Sequence, residues 1–206
     1  MWTNKILPEG LPFPVPCCSY IENQDEWRNA RFGWHPGSNL GVSGCGILAA
    51  WNVLVDAGRI TEENASRTMY RLIHHFGRFG AVCGGRLGVS VAALYFFFRR
   101  QFPKASLSFR HNACAQNAFG LRYDVFVATI VNDRRRPWKG LHTVCITKSL
   151  KGYVVHNAYR KNSGGHWTAT IPFATLSEAL SHITAEPFFV VVIGIAYGRK
   201  KEYAKV

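Results

Sequence analysis

The hydrophobic pattern of this chain changes near Pro103, and the change restricts the folds that the chain can adopt. Before Pro103, apolar residues recur at spacings of three and four, as on helices with one buried face. After it come short runs rich in β-branched and aromatic residues, separated by glycines or charged turns. Helices followed by consecutive short strands predict an α+β fold, in which an N-terminal helical half packs on a C-terminal antiparallel sheet.

Four helices and six strands are predicted. Residues 46–57 are apolar nearly all round, as expected for a helix buried in a core, and Gly58 follows as its stop. Thr61 is a candidate N-cap for the second helix, and Ser90 for a third helix that ends near Arg100. A fourth helix covers Leu176 to Ile183, among the strands. The strands are expected within residues 106–109, 123–131, 141–147, 152–159, 166–171 and 188–196.

Length and composition favour one domain, residues 1–206, with a sizeable core, since 48% of the residues are hydrophobic. Four prolines between positions 8 and 16 make residues 1–20 a proline-rich arm that we expect to lie across this domain. The apolar run Pro187 to Ala196 is too short to span a bilayer, and the N-terminus lacks the pattern of a secretory signal. We therefore predict no membrane span and a cytoplasmic location. Six cysteines without a regular spacing are expected to be free thiols.

The formal net charge of +13 raises the question of an anionic partner. Its two short basic clusters, residues 132–140 and 198–205, have no helical spacing and no base-stacking or groove-reading motif. We interpret them as solvated loop and tail charges and expect no nucleic-acid partner.

Cys45 lies between Gly44 and Gly46, where a loop becomes the first predicted helix. The positive end of a helix dipole favours a thiolate, so we expect a lowered thiol pKa. The two glycines would leave room for a peptide-like substrate, and the Cys45 amide would donate to an oxyanion. A structural interpretation stays open, because small residues also occur where helices pack closely and most free cysteines are small hydrophobes.

A cysteine nucleophile needs an imidazole to accept its proton, and the imidazole needs an acceptor that orients it. His142 begins a predicted strand, where it would be held rigidly yet exposed at the sheet edge. The next strand ends at Asn157, and the hairpin between them would bring the Asn157 side-chain oxygen to the His142 ring. His156 would face the other side of the sheet and is the weaker partner. Asn39 precedes Cys45 by six positions and is a candidate second oxyanion donor.

This order of residues resembles the papain-like cysteine peptidases. A G-C-G motif opens a hydrophobic helix, one strand begins with histidine, and the following strand ends in asparagine. The compact branch related to bacterial leader peptidases that cut after double-glycine motifs is the most similar. The resemblance implies Cys45 as nucleophile, His142 as general base and acid, Asn157 as orienter and Asn39 as oxyanion donor, with a cleft between helices and sheet. The family usually has glutamine at the position of Asn39, and the compact branch usually has Asp-Pro where this chain has Asn157 and Ala158.

The function predicted from the sequence is that of a cysteine peptidase or amide hydrolase that forms an acyl-enzyme on Cys45. Trp34, in the loop before Cys45, and Arg135, in the arginine-rich turn before His142, are candidate substrate contacts. The arginines of that turn would favour acidic peptide or protein substrates. No zinc-type spacing is present, so neither metal nor cofactor is expected. Two alternatives stay open, namely acyl transfer to an amine by the same residues and a non-catalytic binding module on a peptidase-like scaffold. The sequence leaves the oligomeric state open.

Overall fold

The computed structural model describes residues 15–16, 18–109, 112–131, 141–160, 166–184 and 191–198, and these ranges contain six α-helices, two short 3-10 helices and seven strands. The helices are α1 (Leu40–Ser43), α2 (Cys45–Asp56), α3 (Ala65–Phe79), α4 (Val91–Gln101), α5 (Ala113–Arg122) and α6 (Leu176–Ile183), and the 3-10 turns are Gln24–Trp27 and Val82–Gly85. The strands are β1 (Ser106–Ser108), β2 (Val125–Val131), β3 (Leu141–Ser149), β4 (Gly152–His156), β5 (Ala158–Arg160), β6 (His166–Thr168) and β7 (Val191–Ile195).

Five of the strands form one antiparallel sheet in the order β1-β7-β2-β3-β4, and β5 and β6 pair separately. Strands β3 and β4 are consecutive in a hairpin that ends at Gly152, whose φ of +119° is a conformation that favours glycine. A Cβ at Gly152 would also lie 2.1 Å from the Phe173 carbonyl oxygen. The predicted α+β class, with helices followed by an antiparallel sheet, is confirmed at this level.

Both faces of the sheet are covered, which explains why β2 is apolar at consecutive positions instead of alternating. Val125 and Val127 belong to the core that contains α2, α3 and α4. Phe126 and Ala128, on the opposite face, belong to a second core closed by α6. No helix of the described residues is both long and apolar enough to cross a membrane.

Helix α2 lies at the centre of the larger core, as its all-round apolar sequence predicts. It packs on β2, β3 and α3, and its Trp51 is completely buried. The buried Asn52 side chain accepts from the Ile21 N–H at 2.8 Å and donates to the Ile21 carbonyl at 3.0 Å. Trp51 Nε1 likewise donates to the Ser19 carbonyl at 3.1 Å. The last part of the predicted N-terminal arm therefore lies along α2, whereas residues 1–14 and 17 lie outside the described residues.

Three details of the predicted helices are wrong. The segment before Cys45 is expected to be a loop, but it contains the short helix α1. Helix α3 begins at Ala65 with Asn64 as its N-cap residue, because Thr61 to Asn64 form a turn in which the Asn64 side chain accepts from the Thr61 N–H. Helix α5 was not predicted. It buries only Gln116 and Gly120, so its sequence has no apolar stripe to indicate a helix.

Candidate active site

Helices α1 and α2 meet at Gly44, and this junction sets the position of Cys45. The Asn39 side-chain oxygen caps α1 by accepting from the Val42 N–H at 3.0 Å, and the Gly44 N–H donates to the Leu40 carbonyl at 2.9 Å. A Cβ at Gly44 would lie 2.5 Å from the Leu40 Cα, so the tight turn requires glycine. The chain then starts α2 with Cys45 at its first position.

Burial and nearby hydrogen-bond donors act on the pKa of the Cys45 thiol in opposite directions. Burial raises the pKa of the Cys45 thiol above its usual value, while bonds from the Thr143 backbone and hydroxyl and from the Gly46 and Cys45 amides act in the opposite direction. The predicted lowering of this pKa is therefore wrong for the resting protein, because removal from water outweighs the donors at the helix N-terminus.

Thr143 lies on the face of β3 that is turned towards α2, as Cys145 does, whereas His142 pairs with Ile130 on the opposite face. The β3–β4 ladder begins at Cys145 and His156, so the described part of β4 leaves residues 141–144 of β3 without a ladder partner on that side. Helix α2 packs against β3, and the Thr143 hydroxyl is also 3.1 Å from the Thr129 hydroxyl on β2. The helix that begins at Cys45 therefore packs directly against the strand that carries His142.

His142 is bonded to the backbone of Asn157. Its Nε2 lies 2.8 Å from the Asn157 main-chain oxygen, and since a carbonyl only accepts, Nε2 carries the proton and Nδ1 is the basic atom of the neutral ring. Burial lowers the pKa of His142 to about 4, and the bond to Asn157 opposes that shift. The ring is neutral at pH 7. The expectation of an exposed His142 is wrong, because the chain turns back at Asn157 over the start of β3 and the residue is only 4% exposed.

The predicted proximity of Asn157 to His142 is confirmed, but the bonding atom differs. The Asn157 side-chain oxygen accepts from the Gln24 N–H at 3.1 Å, and its amide donates to the Gln24 side chain at 3.2 Å. Gln24 in turn donates to the Gly41 carbonyl at 3.0 Å. Asn157 has a φ of +59°, which asparagine tolerates better than most residues. This conformation aims its main-chain carbonyl, and not its side chain, at His142.

Glu22 fixes Asn157 from the other side. One Glu22 oxygen accepts from the Asn157 N–H at 2.9 Å and the other is bonded to His156 Nδ1. His156 Nε2 is 2.8 Å from the Thr147 hydroxyl, and Tyr20 stacks on the His156 ring. This partly buried network connects the segment before the first 3-10 turn to β4. Sequence reasoning missed Glu22 and Gln24, because Glu22 lies in irregular chain and Gln24 begins a single 3-10 turn, where no periodicity indicates a role in the site.

The remaining candidate site residues are the predicted substrate contacts. A Cβ at Gly46 would lie 2.9 Å from the Val89 Cβ, so the space beside both glycines is taken up by the protein itself, and the reason given for them as substrate contacts is wrong. Trp34 is 78% exposed and covers Gly84. Arg135 lies outside the described residues. Among the described residues no group of three His, Cys, Asp or Glu side chains is arranged to hold a metal ion.

Comparison with known proteins does not extend this picture: no protein-family model, curated protein or solved structure matches the chain.

The low pKa of His142 predicts that stability depends on pH. In an unfolded chain the pKa of a histidine is about 6.5. As the pH falls, His142 is therefore protonated at a higher pH in the unfolded state than in the folded state. The free energy of unfolding should therefore fall between pH 6.5 and pH 4, by up to about 3 kcal/mol from this group. Below pH 4 the contribution is constant.

Urea unfolding of the wild type and His142→Gln at several pH values measures this effect. Glutamine keeps an N–H that can donate to the Asn157 carbonyl but does not titrate. We expect the stability of the variant relative to wild type to improve as the pH falls from 6.5 to 4. A difference that is the same at all pH values would contradict a buried neutral His142.

Proposed function

We propose that this protein is a papain-like cysteine hydrolase that cleaves an amide bond of a peptide or protein through an acyl-enzyme on Cys45. One observation supports the proposal: Cys45 begins helix α2, which packs on the strand that carries His142, and the proton-bearing nitrogen of this histidine is bonded to the Asn157 main-chain oxygen. Covalent catalysis requires a nucleophile, a base and an orienting acceptor, and we assign these roles to Cys45, His142 and the Asn157 main-chain carbonyl. In this assignment the His142 ring reaches the reacting atoms around the start of β3.

The reaction starts from a neutral thiol and a neutral imidazole, given the pKa shifts of the two groups. As the substrate carbonyl approaches, the Cys45 thiol proton passes to Nδ1 of His142 and the sulfur attacks the carbonyl carbon. The Cys45 amide donates to the resulting oxyanion, and Asn39 stays the predicted second donor through its NH2 group, since its oxygen caps α1.

The imidazolium then gives its proton to the leaving amine, and the carbon–nitrogen bond breaks to leave a thioester on Cys45. Water attacks this thioester after losing a proton to His142. The carbon–sulfur bond breaks, the carboxylic acid is released, and the thiol recovers the proton. The main-chain carbonyl of Asn157 keeps the ring oriented through both proton transfers.

Cleavage of a peptide library in water enriched in oxygen-18 tests the proposal. We expect one heavy oxygen in each new carboxylate with the wild-type protein and no cleavage with Cys45→Ala. Ligation of peptides to an added amine without heavy oxygen would favour the acyltransferase alternative. Absence of both products with the wild type would contradict covalent chemistry at Cys45. A preference for acidic peptides and a cytoplasmic location stay predictions from the sequence.

The contact between His142 and the Asn157 main chain predicts that activity tolerates a substitution of Asn157 that keeps the backbone conformation. Asn157→Gly keeps the carbonyl and the positive φ, so we expect the cleavage rate to fall by no more than about ten-fold. Asn157→Val removes the same side-chain bonds but strains the backbone at φ +59°, and a larger loss is expected. Rates for both variants, with circular dichroism to verify folding, decide this. If Asn157→Gly loses as much activity as Asn157→Val, the side chain, and not the carbonyl, orients the ring.

A further inference from the structure

A groove lies between helices α3 and α4 at the C-terminal end of α2. Its volume is about 530 Å³, within the range of roughly 300–1,000 Å³ found for small-molecule sites. Buried Leu54 and Leu72 and partly buried Phe97 line it. Phe79 and Phe96 also line it although they are 65% and 69% exposed. We call this feature the α3–α4 groove.

The charged side chains that line the α3–α4 groove are all basic. Arg59, Arg71 and Arg100 contribute to its lining, and no described aspartate or glutamate does. This matches the sequence around it, since residues 64–123 contain nine of the 25 lysines and arginines and none of the 12 aspartates and glutamates. Residues 64–123 are therefore a positively charged part of the chain, in addition to the two short basic clusters.

Two of these arginines are exposed and project from the helices that form the walls. Arg71 is on α3 and Arg100 is on α4, and both side chains are exposed to solvent. Arg59 instead stacks on the Phe102 ring at 4.1 Å and donates to Gln101, which fixes it in place. Burial and the Arg100 charge lower the pKa of His75, which also lines the groove, so the positive potential extends to the groove wall.

We propose that the α3–α4 groove binds a single-chain amphipathic carboxylate, the chemistry of a fatty acid. The aliphatic tail would pack on Leu54, Leu72 and Phe97, and the carboxylate would pair with Arg71 and Arg100, because guanidinium groups form charge-assisted bonds with carboxylates. The apolar residues line a concave groove, which fits a single alkyl chain better than a flat membrane surface does. Leu54 follows Cys45 by nine residues in α2, a distance of roughly 14 Å along the axis, so the inference is independent of the proposed hydrolase site.

Calorimetric titration with dodecanoate, kept below its micelle-forming concentration, tests the proposal. We expect one molecule to bind per chain. Dodecyltrimethylammonium, with the same tail and the opposite charge, and acetate, with the same head and no tail, should each bind at least about ten-fold more weakly. Nuclear magnetic resonance should show the His75 ring signals shifting on addition of dodecanoate, whereas those of His35 stay unchanged.

Charge variants locate the carboxylate. Arg71→Gln should raise the dissociation constant about ten-fold, while Arg67→Gln, the same change on an exposed residue of α3 outside the groove lining, should alter it by less than about two-fold. Equal losses in the two variants, or equal binding of the cationic detergent, would overturn the proposal. Binding only to anionic vesicles or to a single-stranded oligonucleotide, without binding of dodecanoate, would overturn it as well.

Discussion

Replacing Cys45 with alanine is expected to lower the rate of peptide hydrolysis by at least about a thousand-fold while the fold is retained. The loss follows because no acyl-enzyme can form without the sulfur, and water alone would have to attack the amide. The effect on folding should be small, since alanine fits the space and is a good helix former at the start of α2.

Cys83→Ala is the matched control for this variant. Cys83 also lies beside a glycine, but it is exposed in the 3-10 turn Val82–Gly85. Initial cleavage rates and unfolding midpoints of the two variants separate catalysis from stability. Retained hydrolysis in Cys45→Ala, or an equal loss in Cys83→Ala, would contradict the assignment of Cys45 as nucleophile.

Replacing His142 with glutamine is expected to reduce hydrolysis by about a hundred- to ten-thousand-fold, the usual contribution of a positioned general base. The pH profile should change as well. In the wild type, activity rises with pH through about 4, as His142 loses the proton that burial already disfavours. The variant has no imidazole to deprotonate, so this acid limb should disappear from its residual activity.

His182→Gln is a control for the loss of a histidine elsewhere in the chain, since His182 is exposed near the end of helix α6. Rates of cleavage from pH 3.5 to pH 9, measured where each protein stays folded, give both profiles. An acid limb at the same pH in wild type and His142→Gln would assign the titration to another group. It would remove the general-base role from His142.

The elements that carry the candidate site follow from the sequence because each has a pattern tied to burial. Helix α2 is apolar all round and is buried at the centre of the core. The strand that begins at Leu141 and the hairpin into β4 follow from β-branched runs and a glycine turn, and together they bring His142 to Asn157. These elements are regular helices and strands, and the spacing of apolar residues in the sequence indicates them.

The hydrogen-bond partners and pKa shifts within the site could not be predicted from the sequence pattern. The direction of the Asn157 carbonyl depends on one positive φ, and that conformation is fixed by Glu22 and Gln24, more than 130 residues away in the chain. The pKa shifts of Cys45 and His142 depend on how deeply the two groups are buried, which a pattern of residue types does not specify. A helix N-terminus predicts a lowered thiol pKa only where desolvation of the sulfur does not outweigh the donors beside it.

The pH dependence of Cys45 alkylation by iodoacetamide tests the central claim most directly, with the modified residue located by mass spectrometry. If His142 accepts the thiol proton, the wild-type rate should be nearly constant between about pH 5 and pH 8, because the reactive pair has the same number of protons throughout that range. In His142→Gln the rate should instead rise about ten-fold per pH unit, following the small thiolate fraction. A ten-fold rise per unit in both proteins would mean that Cys45 reacts as an ordinary thiol, and the hydrolase proposal would fail.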